Sequence, residues 1–244
     1  MVLIPSGEGD CASFQAVAEV LSDEFTVLTF DMPGFSRSGP PPEFGKVTAT
    51  MLADQIATLV SSLSLGPAAF YGCSSAGLAT LSLVAQHPKI VRNAFVHEAA
   101  LARDSVLPDA TAVFALNDLD DAAIVKRCQD LFRNELNSNA RAWDAIGQEY
   151  HRRLARNYVT WVRRYLWAGL ADHTYTAEEL TCRPISWTVG GLRTSWIVAT
   201  NVEVAHRADL KVDSLPCKHF PQVEIPHLLA ARIRAHTKSH LEPT

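Results

Sequence analysis

Residues 68–77 read Ala68-Ala69-Phe70-Tyr71-Gly72-Cys73-Ser74-Ser75-Ala76-Gly77, the most informative stretch of the chain. An apolar run stops at a glycine, a serine follows two residues later, small residues come next, and a helical pattern, LATLSLVAQH, takes over. That layout is a tight strand-to-helix turn, which lifts a serine hydroxyl above the edge of a sheet. The turn is strained, and bulk two residues to either side of the serine would clash, so small side chains are needed there. Two serines compete for the apex. Ser74 is flanked at those positions by Gly72 and Ala76, Ser75 by Cys73 and Gly77. Ser74 is favoured, because glycine then sits where crowding is worst, although Ala76 departs by one carbon from the strict G-x-S-x-G pattern. A plain strand–turn–helix with incidental serines would spell the same letters, so the motif needs partners elsewhere in the chain.

Outward from this turn the chain alternates. Short, apolar, β-branched-rich runs at 2–4, 26–31, 68–71, 93–97, 185–189 and 210–215 read as strands, and helical patterns occupy 12–23, 47–64, 76–87, 195–208 and 226–240. The runs show little period-2 alternation, as expected of strands buried on both faces of a parallel sheet. Strand–helix alternation of this kind predicts a mostly parallel, doubly wound α/β sheet, with its site at the carboxyl ends of the strands. Residues 102–182 interrupt the pattern with long helical stretches, DAAIVKRCQDLFRNEL and ARAWDAIGQEYHRRLARNYVTWVRRYLWAGL. They read as a helical lid inserted into a core made of 1–101 and 183–244. The aromatics of the lid either cover an apolar substrate or glue the lid to the core.

Composition sets outer bounds. A length of 244 residues suits one α/β domain with an insertion, and 48% hydrophobic with 20% charged residues is enough for a sizeable core. The net charge of −4 is spread along the chain, without the basic patch of a nucleic-acid binder. Five cysteines, odd in number and without paired spacing, argue against a disulfide framework or a zinc site and for a reducing compartment, the cytoplasm. Cys73, the one nearest the serine turn, reads as small buried filler. No apolar run approaches the ~18 residues of a membrane span. The opening MVLIPSGEG reads as a strand entering a glycine loop rather than as a signal peptide.

A serine hydroxyl needs a base, and the base needs an orienting carboxylate. His219 lies in CKHFPQVEIP, a loop between the last strand and the last helix, where hydrolases of this architecture place their histidine. His227, His236 and His240 read as surface, and His87, His151, His173 and His206 as solvated. The acid is expected after the penultimate strand, but ISWTVGGLRTSWIVATN carries none before Glu203. Glu98 ends VRNAFVHE, the strand beside the serine turn, and is the best-placed carboxylate. Donors for the developing oxyanion are expected at the backbone N–H of Ser75 and of Gly7, the latter in the loop Pro5-Ser6-Gly7-Glu8-Gly9. The loop DMPGFSRS at 31–38 is read as structural support for that side.

Taken together, these segments resemble the fungal zearalenone lactonases of the α/β-hydrolase superfamily. The resemblance rests on GCSS at 72–75, RNAFVHE at 92–98, RLARNYVTW at 153–161, WTVG at 187–190 and HFPQV at 219–223. It implies a Ser74–His219–Glu98 triad, an oxyanion hole from Gly7 and Ser75, and a ring-stacking tryptophan at Trp161 with Tyr165 on the same lid face. It also implies that Ser74 opens the ester ring of a resorcylic acid macrolactone through an acyl-enzyme, with no metal and no cofactor. A homodimer is left open. The chain departs from the resemblance in three places. It starts at what would be the third strand, so the leading β-hairpin is expected to be missing. Ser6, beside the oxyanion loop and expected to contact the substrate, stands where an acidic residue is usual. Ile197-Val198-Ala199 replaces bulky aromatics, so a slimmer pocket wall is expected, with Val198 and Phe220 also lining the substrate. The same residues allow two alternatives: a general carboxylesterase with the same triad, and a non-hydrolytic ligand-binding homologue.

Overall fold

In the computed structural model, which describes residues 1–105, 112–170, 173–192 and 195–241, six strands form one sheet in the order β2-β1-β3-β4-β5-β6. They are β1 (Val2–Ile4), β2 (Leu28–Thr29), β3 (Ala68–Cys73), β4 (Val91–His97), β5 (Ile185–Gly190) and β6 (Val212–Leu215). Every neighbouring pair is parallel. The register sets Ile4 beside Gly72 and Cys73 beside His97, so three strands end level with the serine turn. β1 and β3 are buried along their whole length, which accounts for their lack of alternation. The expected strand over 26–31 shrinks to Leu28–Thr29, a half-buried edge. Beyond Thr29 the chain leaves the sheet, and the Met32 N–H donates to the Gly9 carbonyl at 2.9 Å instead.

Helices cover both faces. α1 (Gln15–Leu21) follows a 3-10 turn at Cys11–Phe14, and α2 (Ala49–Ser62) starts where the Thr48 side chain accepts from the Met51 N–H. α2 buries Leu52, Ala53, Ile56, Ala57 and Val60, the spacing of one helical face. α3 (Ser75–Gln86) is buried from Ala76 to Val84, all the way round, as a helix wedged between sheet and insertion must be.

Between β4 and β5 lies the helical insertion: α4 (Asp121–Asp130), α5 (Ala140–Ala145), α6 (Gln148–Thr160), α7 (Trp167–Leu170) and α8 (Ala177–Leu180). The long helical pattern expected over 140–170 is broken by Gly147, at φ 113°, and widens into a π-helical turn at Trp161–Leu166. A second π-helical turn, Leu131–Glu135, follows α4. Of the segment expected as a lid, residues 106–111 and 171–172 lie outside the described residues, as do 193–194 and 242–244 of the expected core. α9 (Trp196–Arg207), α10 (Pro221–Glu224) and α11 (Pro226–Lys238) complete the chain. Phe132, Trp143, Tyr158 and Trp161 of the insertion join the same apolar core as Trp187, Phe70 and Phe95 of the sheet. No described helix is long and apolar enough to cross a membrane.

Candidate active site

The turn after β3 has the strain its sequence demands. Ser74 sits at φ 58°, ψ −123°, and α3 begins at Ser75. A Cβ on Gly72 would lie 2.2 Å from both the Ala76 carbonyl oxygen and Thr80 Oγ1, so no larger residue fits. Of the two serines, Ser74 therefore holds the apex, and Ser75 presents its N–H at a helix N-terminus, where first-turn N–H groups lack intrahelical acceptors. The Ser74 N–H donates to the His97 carbonyl, and its own carbonyl accepts from the Ala100 N–H, each at 3.1 Å. The turn is thus stitched to the end of β4. Cys73 is fully buried, which holds its thiol well above the ordinary range and keeps it protonated.

Glu98 follows β4, also at a positive φ of 42°. Its Oε2 lies 2.5 Å from His219 Nδ1, and its Oε1 accepts from the Gly190 N–H at 2.8 Å. Both side chains are buried, at 0% and 3% exposure. Burial alone would raise the Glu98 carboxyl, but the His219 hydrogen bond, with the Gly190 N–H, holds it below the usual carboxylate range. His219 comes from the loop between β6 and α10. Its carbonyl accepts from Cys73 Sγ at 3.0 Å, which ties the imidazole's backbone to the residue preceding Ser74. A Cβ on Gly190 would lie 1.9 Å from the Lys218 carbonyl oxygen, so the end of β5 and the histidine loop touch through bare backbone.

On the other side of Ser74, the loop after β1 carries Ser6 and Gly7, both buried. Trp161 presses on this loop: a Cβ on Gly7 would meet its ring at 2.9 Å and Phe132 at 3.2 Å. Phe132 stacks on Phe220 with ring centroids 5.5 Å apart and meets Trp161 edge-on at 5.3 Å. Phe220 also stacks on Trp143 at 5.7 Å. The ring of Tyr165 packs edge-on to Phe35, and its hydroxyl donates to the Pro33 carbonyl at 2.7 Å. Val198 lies half-buried on α9.

The 31–38 loop is held by charge. Arg37 Nε donates to Asp31 Oδ2 at 2.6 Å, and the Cys11 N–H to Asp31 Oδ1 at 2.9 Å. Burial would raise the Asp31 carboxyl, but these donors pull it down to about 2. Asp10, Cys11 and Asp31 are near enough to one another to share a metal ion. Asp31 and Asp10 already face guanidinium groups, however: Arg37 meets both, and Arg153 Nε of the insertion meets Asp10 Oδ2 at 2.6 Å.

Several positions escape sequence reasoning. His97 is fully buried, with Nδ1 2.9 Å from Thr188 Oγ1, and burial pushes it down to about 4. Glu224 turns back onto the His219 loop, where its carboxylate accepts from the Lys218 and Phe220 N–H groups. Here a signal does exist in the sequence, since a carboxylate in the first turn of a proline-started helix is placed to reach back to that helix's N-terminus. Of the other histidines, His206 and His227 are exposed, as expected. His236 is half-buried against Phe95, because α11 packs that ring on β4. His87, His151 and His173 are half-buried and bonded, to Asp54, the Trp143 carbonyl and Glu179 respectively.

Residues 1–158 match the family described as alpha/beta hydrolase fold. A zearalenone hydrolase of Cladophialophora bantiana is 36% identical over 244 residues, covering 99% of this chain and 89% of that protein. One from Bionectria ochroleuca is 34% identical over 245 residues, covering 99% of this chain and 90% of that protein. Among solved structures, an epoxide hydrolase, CorEH, superposes with a TM-score of 0.77 at 18% identity, covering 98% of this chain and 90% of its own. A thermophilic esterase from Thermogutta terrifontis does so with a TM-score of 0.74 at 19% identity, covering 98% and 89%. These two likenesses concern the fold. The parallel sheet, the family match and relatives that align along nearly the whole chain agree: the chain belongs to the zearalenone hydrolase family of the α/β-hydrolase fold.

Proposed function

We propose that the protein hydrolyses the ester bond of a resorcylic acid macrolactone of the zearalenone type, using Ser74, His219 and Glu98 as a triad. The observation that carries this reading is the buried Glu98–His219 hydrogen bond at 2.5 Å, whose imidazole backbone is tied to Cys73 at the foot of the strained Ser74 turn. An ionised Glu98 fixes His219 with its proton on Nδ1, which leaves Nε2 free to accept the Ser74 proton as Oγ attacks the lactone carbonyl. The N–H groups of Gly7 and Ser75 receive the oxyanion. His219 then protonates the departing alkoxide, which stays attached to the acyl chain because the ester was part of a ring. Water, activated by the same imidazole, releases the hydroxy acid, and a resorcylic acid can lose carbon dioxide without help from the protein. The chemistry asks for no cofactor.

The aromatic group of Trp161, Phe132 and Phe220 beside the Gly7 loop supplies surfaces on which an aromatic substrate ring could stack. The helical insertion carries two of these rings and serves as the lid. The names of the relatives support the choice of substrate. Incubation with zearalenone, followed by mass spectrometry for the ring-opened product, tests the reading, with short p-nitrophenyl esters separating a lactonase from a general esterase. Ser74→Ala should abolish turnover and keep ligand binding. Turnover that survives this change sinks the assignment.

A further inference from the structure

The loop that carries His219 is held by an unusual set of bonds. Three consecutive backbone N–H groups are all engaged: Lys218 donates to Glu224 Oε2 at 2.9 Å, His219 to the Leu136 carbonyl at 2.9 Å, and Phe220 to Glu224 Oε1 at 3.0 Å. One carboxylate therefore grips the backbone on both sides of the histidine. Its Oε2 also accepts from the Ser138 N–H at 3.0 Å and from the Ser138 hydroxyl. Leu136 and Ser138 belong to the helical insertion, in the stretch between the π-helical turn Leu131–Glu135 and α5.

Helix capping accounts for only one of these bonds. A carboxylate that caps α10 needs the Phe220 N–H and no more. Glu224 is buried, and a buried carboxylate is costly unless its oxygens are fully bonded. Here the donors come from two places, the base loop and the insertion. If the insertion swings away, Glu224 loses both Ser138 donors and the His219 N–H loses its acceptor. The base loop would then keep its bonds to Glu224, Cys73 and Glu98 but lose those that reach it from Leu136 and Ser138.

We propose that Glu224 is a positioning residue for His219, and that through Ser138 it makes the alignment of the base depend on the insertion being docked. This rests on the reading of His219 as the base. An enzyme built this way completes its proton-transfer machinery only when the lid is closed over substrate.

The test compares the parent with Glu224→Gln and Ser138→Ala, using zearalenone as substrate. The glutamine side chain keeps the size but replaces one acceptor oxygen by a donor. Glu224→Gln should lower kcat about 10- to 100-fold, the cost of a slightly misplaced base, and leave KM within about threefold. The acid limb of its pH–rate profile should also move. Ser138→Ala should lower kcat by a smaller factor in the same direction. A role confined to stability would instead reduce activity only in proportion to the folded fraction, with an unmoved pH profile. A folded Glu224→Gln protein with parental kcat and pH profile overturns the proposal. If Glu224→Gln does not fold, Ser138→Ala decides, and parental kcat and profile in that variant overturn it. Failure of the hydrolase reading itself shows separately, as a parent enzyme that neither opens zearalenone nor is labelled at Ser74 by a phosphonate. In that event the imidazole N–H proton resonance of His219 is compared between parent and variants. A resonance that does not move overturns the positioning role without any appeal to turnover.

Discussion

His219 Nδ1 and Glu98 Oε2 lie 2.5 Å apart, and the same carboxylate is pinned through its other oxygen to the Gly190 N–H. The pair spans three segments, the end of β4, the end of β5 and the loop after β6, so its geometry depends on the sheet rather than on either residue alone. Glu98→Gln should keep the shape and lose the charge. The amide can hold the imidazole in the wrong tautomer, so kcat should fall by roughly three to four orders of magnitude, with the fold intact by circular dichroism. A loss of less than tenfold would mean that Glu98 is not the orienting acid.

Gly190 offers a second test of the same junction. An added methyl would meet the Lys218 carbonyl oxygen at 1.9 Å, a backbone atom with no rotamer to yield. Gly190→Ala should therefore displace the His219 loop, costing about 1–3 kcal/mol of stability and most of the activity. Urea unfolding read beside turnover checks this. Parental values for both would show that the His219 loop can shift freely to accept the methyl.

Much of this arrangement is legible in the amino-acid sequence. The sites of Ser74, Glu98 and His219 in the fold follow from local rules: small residues about a strained turn, a carboxylate ending a buried strand, and a histidine after the last strand. What stays hidden depends on distance in the chain. Ser138 and Glu224 are 86 residues apart, and their contact exists only because the insertion folds back over the sheet. The π-helical turns at 131–135 and 161–166 are equally hidden, since each slips the register that a 3.6-residue pattern assumes. His97 gives no signal either, because a buried histidine bonded to a threonine looks, as a sequence, like any strand residue.

Arg153 ties the insertion to the core at a second point. Its Nε meets Asp10 Oδ2 at 2.6 Å, and further along α6 the Asn157 side chain accepts from the Ser36 N–H and donates to the Glu8 carbonyl. Glu149 also contacts Arg153, but it is exposed and adds little. Arg153→Met should leave Asp10 held by Arg37 and Ser36, so the loss should be about 2 kcal/mol rather than the larger cost of a wholly unpaired buried charge. Limited proteolysis should then cut within the insertion before the sheet. Cleavage at the parental rate would place the hold of the insertion on the core elsewhere.

Burial moves Glu8 and His97 in opposite directions. Glu8 is fully buried, its Oε1 accepts from the Ser13 hydroxyl at 3.1 Å, and its Oε2 has no partner among the described residues. Burial first, and Asp10 with it, raises the carboxyl from 4.5 to about 7, against the pull of Ser13 and of the Glu8 and Ser6 backbone. Between those values the native state holds a proton that the unfolded chain has released, so stability is lost as pH rises from about 4.5 to about 7. Burial lowers His97 from 6.5 to about 4, where the unfolded chain holds the extra proton, so stability is lost as pH falls across that range. From about 4.5 to 6.5 the two slopes, each about 1.4 kcal/mol per pH unit, oppose one another. Glu8→Gln should therefore steepen the loss of stability on the acid side and raise stability at pH 8 by about 3 kcal/mol. His97→Asn should tilt the profile the other way. Urea midpoints at pH 5 and pH 8 for the parent and both variants decide the matter. Three parallel profiles would mean that neither group changes its proton affinity on folding.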